Sequence, residues 1–223
     1  ESLQSGCRTA ASEVGAVILG GDLSRTLGPV FINVVVLGST HRPGLRSGAL
    51  PGNNIWVTGR LGATSTAVVV WQRGKEPPLK AREAFAQPSP RCTEACYLVE
   101  EGIANALIDL SDGLVGDLGH IAAASGVQIV LEEASVPVAP IALEVLGPEQ
   151  ATEAALYGGE DYELCFSAGP GAVDPSYFKE HFGLELTRVG CVREGCGVWI
   201  DRDGSGLEPA ERTGFNHYPM DFV

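Results

Sequence analysis

Two carboxylates lie three residues apart in the segment Asp109-Leu-Ser-Asp112-Gly-Leu, where the pattern of the sequence changes. Residues 103–110 are mostly apolar and predict a short buried strand, whereas residues 114–124 carry apolar side chains at helical spacing. The two aspartates therefore fall in the turn between a strand and a helix. Mg²⁺ prefers oxygen ligands such as these, and free N–H groups at a helix start bind phosphate oxygens. The segment thus indicates a site for a magnesium-bound phosphate compound.

Helix capping is a second interpretation of the same segment. Serine and aspartate are common just before a helix, where the side-chain oxygen accepts a hydrogen bond from a backbone N–H of the first turn. Capping would account for Ser111 and one of the aspartates without any ligand. The segment taken alone leaves both interpretations open.

A second acidic segment reads Gly158-Gly-Glu160-Asp161-Tyr-Glu-Leu. Residues 162–167 alternate well enough to predict a strand. We therefore expect Glu160 and Asp161 at the beginning of this strand, after two glycines that allow the backbone to turn tightly.

A third carboxylate, Asp22, follows Gly20-Gly21 at the end of the apolar run 16–19, which predicts a buried strand. The β-branched run 30–37 predicts another strand. Glycine and proline then punctuate residues 41–52, where we expect a domain boundary.

Strands and helices alternate beyond this boundary. The further predicted strands are 55–58, 127–131, 186–192 and 198–201. The further predicted helices are 61–73, a short one between Pro78 and Pro88, 140–146, 148–156 and 175–182, in addition to one at residues 3–14. This pattern is typical of an α/β fold class with mixed α+β character.

Composition excludes some classes of function. The 223-residue chain has a formal net charge of −13 and no cluster of lysine or arginine, which argues against a nucleic-acid surface. A phosphorylated ligand would need metal ions, helped by one or two arginines, to neutralise its charge. No apolar run is long enough for a membrane span and no signal peptide is recognisable, so we expect no membrane partner and a cytoplasmic protein.

The six cysteines are expected to be reduced thiols, because a chain of this size does not need disulfides to fold. A four-sulfur zinc site is the alternative, although the spacings are looser than those of a zinc ribbon. Its four members would be Cys92, Cys96, Cys191 and Cys196.

The order of these motifs closely resembles that of the thiamine-monophosphate kinase family, within the aminoimidazole-ribonucleotide-synthetase-like superfamily. The resemblance covers essentially the whole chain. It rests on Gly20-Gly-Asp, Arg46-Ser-Gly, Val57-Thr-Gly, Pro88-Ser-Pro-Arg, the Asp109 segment, Asp117-Leu-Gly-His-Ile, the Gly158 segment and Arg188-Val-Gly. A lone Gly-Gly-Asp carries no weight, but the combined order with Gly-Gly-Glu-Asp-Tyr-Glu-Leu is distinctive of this family.

The resemblance implies a two-domain synthetase-like fold whose N-terminal domain is incomplete in this chain. Residues 1–45 would be the remainder of an N-terminal ATP- and magnesium-binding domain that also forms the dimer interface. Residues 46–223 would be the C-terminal domain, with a mixed sheet flanked by helices. Family members carry further magnesium-binding aspartates ahead of the Gly-Gly-Asp segment, and the only methionine here is Met220, so we expect a fragment of a longer protein.

The resemblance also implies an activity, the ATP-dependent phosphorylation of thiamine monophosphate to thiamine diphosphate. The γ-phosphoryl group would be transferred directly, with Mg²⁺ as cofactor and ATP as co-substrate, and the full-length protein would be a homodimer. Phosphoryl transfer requires mainly positioning and charge neutralisation from the protein, and magnesium held by aspartates supplies both.

Individual residues match positions of known role in this family. The matches to magnesium ligands are Asp22, Asp109 and Asp112. The matches to nucleotide-binding positions are Gly21, Asp22, Arg46 and Ser111, with Arg46 expected to reach the ATP phosphates. Without the resemblance, Arg46 would be interpreted as a solvated surface residue.

Two residues match substrate-binding positions of the family. Glu160 is expected to face the thiamine base, and Phe215 to pack against the substrate. The alternatives are a turn residue at a strand start for Glu160 and an aromatic that docks the chain terminus for Phe215. Asp117 and His120 are expected to be helix residues with structural hydrogen bonds.

Two other functions remain open at this stage. Another ATP-dependent synthetase of the same superfamily would share the fold, but such enzymes usually lack the Gly-Gly-Glu-Asp-Tyr-Glu-Leu segment. A non-catalytic nucleotide-binding module would be consistent with the missing N-terminal aspartates.

Overall fold

The structure is a computed structural model that describes residues 2–202 and 206–210. It divides into two compact units, Glu1–Pro43 and Gly44–Val223. The N-terminal unit begins with helix α1 (Ser2–Glu13), which confirms the helix predicted for residues 3–14.

The two strands predicted in the N-terminal unit are wrong. Residues 16–19 and 30–37 form no strand, and most of their apolar side chains are exposed. A strand forms only when its backbone N–H and C=O groups bond to a neighbouring strand, and the described residues supply no such neighbour here. Because β propensity depends on this context, a β-branched run is insufficient to predict a strand.

The C-terminal unit contains the remaining described elements. Its strands are β1 (Asn54–Thr58), β2 (Ala106–Asp109), β3 (Gln128–Glu132), β4 (Leu164–Ala168), β5 (Leu186–Arg193), β6 (Gly197–Asp201) and β7 (Leu207–Pro209). Its α-helices are α2 (Ala63–Gln72), α3 (Leu79–Ala86), α4 (Cys92–Glu100), α5 (Leu114–Ser125), α6 (Pro140–Leu146), α7 (Pro148–Tyr157) and α8 (Pro175–Phe182). Every element predicted for this unit is present, although several ends differ, and α4 and β7 are additional.

The strands form one mixed sheet in the order β2-β4-β1-β5-β3-β6-β7. Neighbouring strands are antiparallel except for β3 and β6, which are parallel. Strand β4 lies between β2 and β1, and every residue of it is buried. Its sequence, Leu-Cys-Phe-Ser-Ala, is almost continuously apolar because both faces of the strand are covered.

Helices pack on both faces of this sheet. Successive side chains of a strand point to opposite faces, so Cys165 joins the main core with Leu118 of α5, whereas Phe166 packs with Leu98 of α4 and Phe178 of α8. This arrangement confirms the expected mixed sheet flanked by helices. Among the described residues, none of the helices has both the length and the apolar character needed to cross a bilayer.

Candidate active site

The acidic turn, residues 109–113, joins β2 to α5 as the sequence predicts. Asp109 is the last residue of β2, and α5 begins at Leu114. Gly113 occupies the position before the helix, with φ 102°, and no side chain caps the helix start. A Cβ atom at Gly113 would lie 2.8 Å from the carbonyl carbon of Tyr157, so α5 begins in close contact with the end of α7. The capping interpretation is therefore wrong for Ser111 and Asp112.

Asp117 supports the acidic turn from within α5. Its Oδ2 accepts a 3.0 Å hydrogen bond from the backbone N–H of Asp112. Asp117 as a whole is only 1% exposed. Burial raises the pKa of Asp117 to about 6, and the negative charges of Asp112 and Asp109 add to this rise. The hydrogen bond from Asp112 and the proximity of His120 act in the opposite direction. The expectation of a structural hydrogen bond is confirmed for Asp117.

The second acidic segment lies directly against this turn. Glu160 donates its backbone N–H to the carbonyl oxygen of Ser111 at 2.9 Å, and Tyr162 donates likewise to Leu110 at 2.9 Å. Gly159 makes this approach possible, because a Cβ atom there would overlap the Ser111 carbonyl oxygen. Two acidic motifs that are far apart in sequence are therefore in backbone contact.

Strand β4 begins later than predicted. The predicted strand starts at Tyr162, but β4 starts at Leu164, because Glu160 and Tyr162 have φ values of 70° and 50° in the left-handed region. Extended strand backbone needs negative φ. Glu160 and Asp161 consequently belong to an irregular segment ahead of β4 and not to the beginning of the strand itself.

Glu160 and Tyr162 face the acidic turn together. The Tyr162 hydroxyl donates a 3.0 Å hydrogen bond to Glu160 Oε2. Partial burial and this bond raise the pKa of Tyr162, and the negative charges of Glu160, Asp109 and Asp112 raise it further. The phenol ring therefore lies within electrostatic range of both aspartates of the turn. Tyr162 was not among the predicted site residues, although its position two residues from Glu160 in the same acidic motif is a signal that could have identified it.

Asp161 points away from Glu160 and anchors the segment to α2. Its Oδ2 accepts a 2.9 Å hydrogen bond from the backbone N–H of Gly62, just before that helix. Burial raises the pKa of Asp161 to about 7, against the opposing effect of hydrogen bonds from Gly62 and Thr64.

Glu163 is the second anchor, and it is 7% exposed. Arg91 donates two hydrogen bonds to its carboxylate, from Nε at 2.9 Å and from Nη2 at 2.6 Å. The Thr58 hydroxyl donates a third to the same carboxylate. Because Arg91 precedes α4 and Thr58 ends β1, this buried ion pair ties three parts of the chain together.

A donor set that could hold a divalent cation combines Asp112 of the turn with Asp117 and His120 of α5 and does not include Asp109. Ligand atoms of Asp112, Asp117 and His120 lie within 4.8 Å of one another. Among the described residues, no arginine or lysine pairs with the Asp109 or Asp112 carboxylate. Carboxylate oxygens are the ligands that suit Mg²⁺. The six cysteines are all free and contribute to no such group.

Of the remaining predicted residues, Arg46 is the one that the structure describes within the C-terminal unit. The backbone carbonyl of Arg46 accepts a hydrogen bond from Ser125 at the other end of α5, and the arginine is exposed. Asp22 lies in the N-terminal unit, where it is exposed and its Oδ1 accepts from the backbone N–H of Leu23 at 2.8 Å. Gly21 is beside it in that unit. Phe215 lies outside the described residues.

Residues 51–175 match the family model described as AIR synthase related protein, C-terminal domain, which defines the class of fold that carries this site. A thiamine-monophosphate kinase from Pyrococcus horikoshii is 34% identical over 215 residues, covering 96% of this chain and 66% of the relative. Another from Aquifex aeolicus is 31% identical over 223 residues, covering 98% of this chain and 68% of the relative. The chain therefore belongs to the thiamine-monophosphate kinase family.

Solved structures support the same family. The crystal structure of thiamine-monophosphate kinase from Stenotrophomonas maltophilia K279a matches with a TM-score of 0.67 and 39% identity, covering 71% of this chain and 52% of that chain. The structure of AaThiL complexed with AMPPCP and TMP matches with a TM-score of 0.66 and 31% identity, covering 78% of this chain and 53% of that chain. This chain spans about half of each solved chain and less than two thirds of the Pyrococcus relative.

Proposed function

We propose that this protein transfers the γ-phosphoryl group of ATP to thiamine monophosphate and releases ADP and thiamine diphosphate. The observation that carries the proposal is the 2.9 Å hydrogen bond from the Glu160 backbone N–H to the Ser111 carbonyl oxygen, which joins the two acidic motifs into one site. Further support comes from the similarity to AaThiL, whose structure contains AMPPCP and TMP.

Asp109 and Asp112 would hold Mg²⁺ in this site, and Asp22 would be a further magnesium ligand, as its match to the family implies. Bound there, the ion would neutralise phosphate charge during the transfer. Asp117 fixes the backbone of the turn through its hydrogen bond from Asp112, so the carboxylates are held in place before any ligand arrives.

The candidate nucleotide-binding residues of the C-terminal unit lie at the two ends of α5. The Ser111 hydroxyl, free of any helix-capping role, would contact the nucleotide together with Gly21. The backbone N–H groups at the start of α5 would favour a phosphate oxygen. Arg46 matches an arginine that contacts the ATP phosphates in the family, but it is exposed at the other end of α5, about 18 Å away, so it would not contact a phosphate bound at the start of this helix.

Glu160 and Phe215 would bind the acceptor. The thiazolium ring of thiamine monophosphate carries a permanent positive charge, which the Glu160 carboxylate attracts, and an aromatic side chain packs well against such a ring. A phosphate oxygen of the acceptor attacks the γ-phosphorus of ATP, and the bond from that phosphorus to the β,γ-bridging oxygen breaks. ADP leaves with the bond electrons, so no enzyme-bound phosphate forms.

The proposal includes the organisation of the chain. Residues 1–45 would be the remainder of the ATP- and magnesium-binding domain, and residues 46–223 the C-terminal domain. The division of the structure after Pro43 supports this assignment. The full-length protein would form a homodimer through its N-terminal domain, which sedimentation of that protein would test.

The decisive experiment measures ADP release by the full natural protein with ATP, Mg²⁺ and thiamine monophosphate. We expect release to depend on thiamine monophosphate, and Asp109→Asn to lower kcat about 10²-fold or more, because a ligand for transition-state charge is lost. Glu180→Gln, which removes an exposed carboxylate from α8, is the matched control and should retain normal rates.

Three results would contradict parts of the proposal. ATP binding without any ADP release would indicate a nucleotide-binding module. Turnover with a different acceptor would indicate another synthetase of the superfamily. Near-normal rates of Asp109→Asn would contradict the metal assignment alone.

A further inference from the structure

Tyr162 and Glu160 form a hydrogen-bonded pair on the side of the second acidic segment that faces the acidic turn. The Tyr162 hydroxyl donates to Glu160 Oε2 at 3.0 Å. Glu160 is exposed and Tyr162 is half-buried. A glutamate side chain in solvent samples several rotamers, and a single well-placed donor selects one of them.

The backbone of this segment is held in an unusual conformation. Glu160 and Tyr162 both have positive φ, at 70° and 50°, which L-residues rarely adopt. Such a conformation persists only where the surroundings enforce it, and it is common at functional sites. The segment therefore has a shape that its own local preferences would not produce.

Asp161 and Glu163 anchor the same segment to other parts of the fold. Asp161 accepts from the backbone N–H of Gly62, and Glu163 is held by Arg91 and Thr58. Alternate residues of the motif thus have two different roles. Asp161 and Glu163 attach the segment to the fold, whereas Glu160 and Tyr162 are presented together toward the acidic turn.

We propose that Tyr162 is a positioning residue of the substrate site, whose phenol holds the Glu160 carboxylate in the orientation that binds the cationic acceptor. The inference rests on the proposed function. In the free protein the hydroxyl already orders Glu160, so acceptor binding does not have to order it. Tyr162 acts through Glu160 and takes no part in the transfer itself.

A double-mutant cycle on the full natural protein tests this coupling. Wild type, Tyr162→Phe, Glu160→Ala and the double variant are compared for kcat, for KM of each substrate and for binding of thiamine monophosphate by calorimetry without ATP. Tyr162→Phe should raise the KM and the Kd for thiamine monophosphate about 3- to 10-fold, with kcat and the KM for ATP within about twofold of wild type. In the Glu160→Ala background the same substitution should have no further effect.

Tyr177→Phe is the matched control, because it also removes the hydroxyl of a tyrosine, here one on α8 that is 45% exposed and whose ring stacks on that of Tyr97. It should leave every parameter unchanged. Equal melting temperatures of wild type and Tyr162→Phe would separate positioning from a general loss of structure.

Several results would overturn the inference. An unchanged KM and Kd for thiamine monophosphate in Tyr162→Phe would show that the hydroxyl positions nothing. A changed KM for ATP or a changed Mg²⁺ requirement would assign Tyr162 to the metal side of the site. Additive effects in the double variant would show that Tyr162 acts independently of Glu160. A wild type that binds thiamine monophosphate without turnover would contradict the proposed function alone, since calorimetry would still measure the effect of Tyr162→Phe. Absence of binding would overturn both.

Discussion

The backbone N–H of Asp112 donates a 3.0 Å hydrogen bond to the buried carboxylate of Asp117, one turn into the helix that follows. The contact is not a helix cap, because it satisfies the N–H of Asp112 ahead of α5 and not an N–H of the first turn of the helix. It connects a half-exposed carboxylate, available to a ligand, with an almost fully buried one that belongs to the core. The orientation of the acidic turn therefore depends on Asp117, on the buried side of α5.

Asp117→Ala should destabilise both the fold and the metal site. Loss of the acceptor leaves the Asp112 N–H unpaired, at a cost of about 1–3 kcal/mol in the free energy of unfolding. The Mg²⁺ concentration for half-maximal ADP release should rise as well, because the turn is no longer fixed. Asp117→Asn keeps an acceptor oxygen and should show a smaller loss in both measurements. Equal losses in the two variants would contradict the role assigned to this hydrogen bond.

Gly159→Ala should separate the two acidic motifs. The added methyl group would overlap the Ser111 carbonyl oxygen, which is backbone and cannot rotate away. We expect a loss of about 1–3 kcal/mol in stability by urea unfolding, and a larger fractional loss of activity. Gly169→Ala is the control, because a Cβ atom at that position meets nothing within 4 Å. Wild-type kinetics in Gly159→Ala would show that close contact of the motifs is dispensable.

Asp161 should make stability depend on pH. Burial raises the pKa of this carboxyl from 3.8 to about 7 in the folded chain. Between these values the folded state binds more protons than the unfolded state, so the free energy of unfolding falls as pH rises from about 4 to about 7. Asp161→Asn cannot ionise, yet it keeps an acceptor for Gly62. The variant should gain stability relative to wild type between pH 5 and pH 8, by at most about 4 kcal/mol in urea unfolding. Parallel pH profiles of the two proteins would contradict this prediction.

Arg91→Met should lower the free energy of unfolding, because it leaves the buried Glu163 carboxylate without its charged partner. Removal of one partner from a buried ion pair typically costs about 3–5 kcal/mol, and the value here should fall at the lower end because Arg91 is partly accessible to solvent. The double variant Arg91→Met/Glu163→Gln should recover part of this loss, because the glutamine is neutral and still accepts from Thr58. Chemical denaturation of the wild type and both variants provides the measurement. A double variant less stable than Arg91→Met would indicate that Glu163 stabilises the fold independently of Arg91.

Local signals predicted much of the C-terminal unit. Helix α8 runs over Pro175–Phe182, the predicted range, because proline favours its start and Asp174 caps it with bonds to the N–H groups of Ser176 and Tyr177. Periodicity likewise located β2 and α5, and hence Asp109 and Asp112 between them. These features depend on residues close together in sequence.

Other predictions failed where distant neighbours decide the outcome. The run 30–37 has strand composition but no strand to pair with among the described residues, so it forms no strand and its apolar side chains are exposed. Strand β4 starts two residues late because Glu160 and Tyr162 have positive φ, in a segment whose other residues, Asp161 and Glu163, bond to Gly62 and Arg91.

The sequence by itself determined the alternation of strands and helices, the position of the acidic turn and the family of the protein, because these depend on local pattern and motif order. Only the tertiary structure decided that the second acidic segment lies against that turn, that Asp117 supports Asp112, and that Glu160 is paired with Tyr162. The contact between the two motifs joins residues about fifty positions apart, so it depends on sheet order and close backbone packing. The pairs Asp112–Asp117 and Glu160–Tyr162 are close in sequence, but they depend on the irregular backbone of the two segments, which hydrophobic periodicity does not encode.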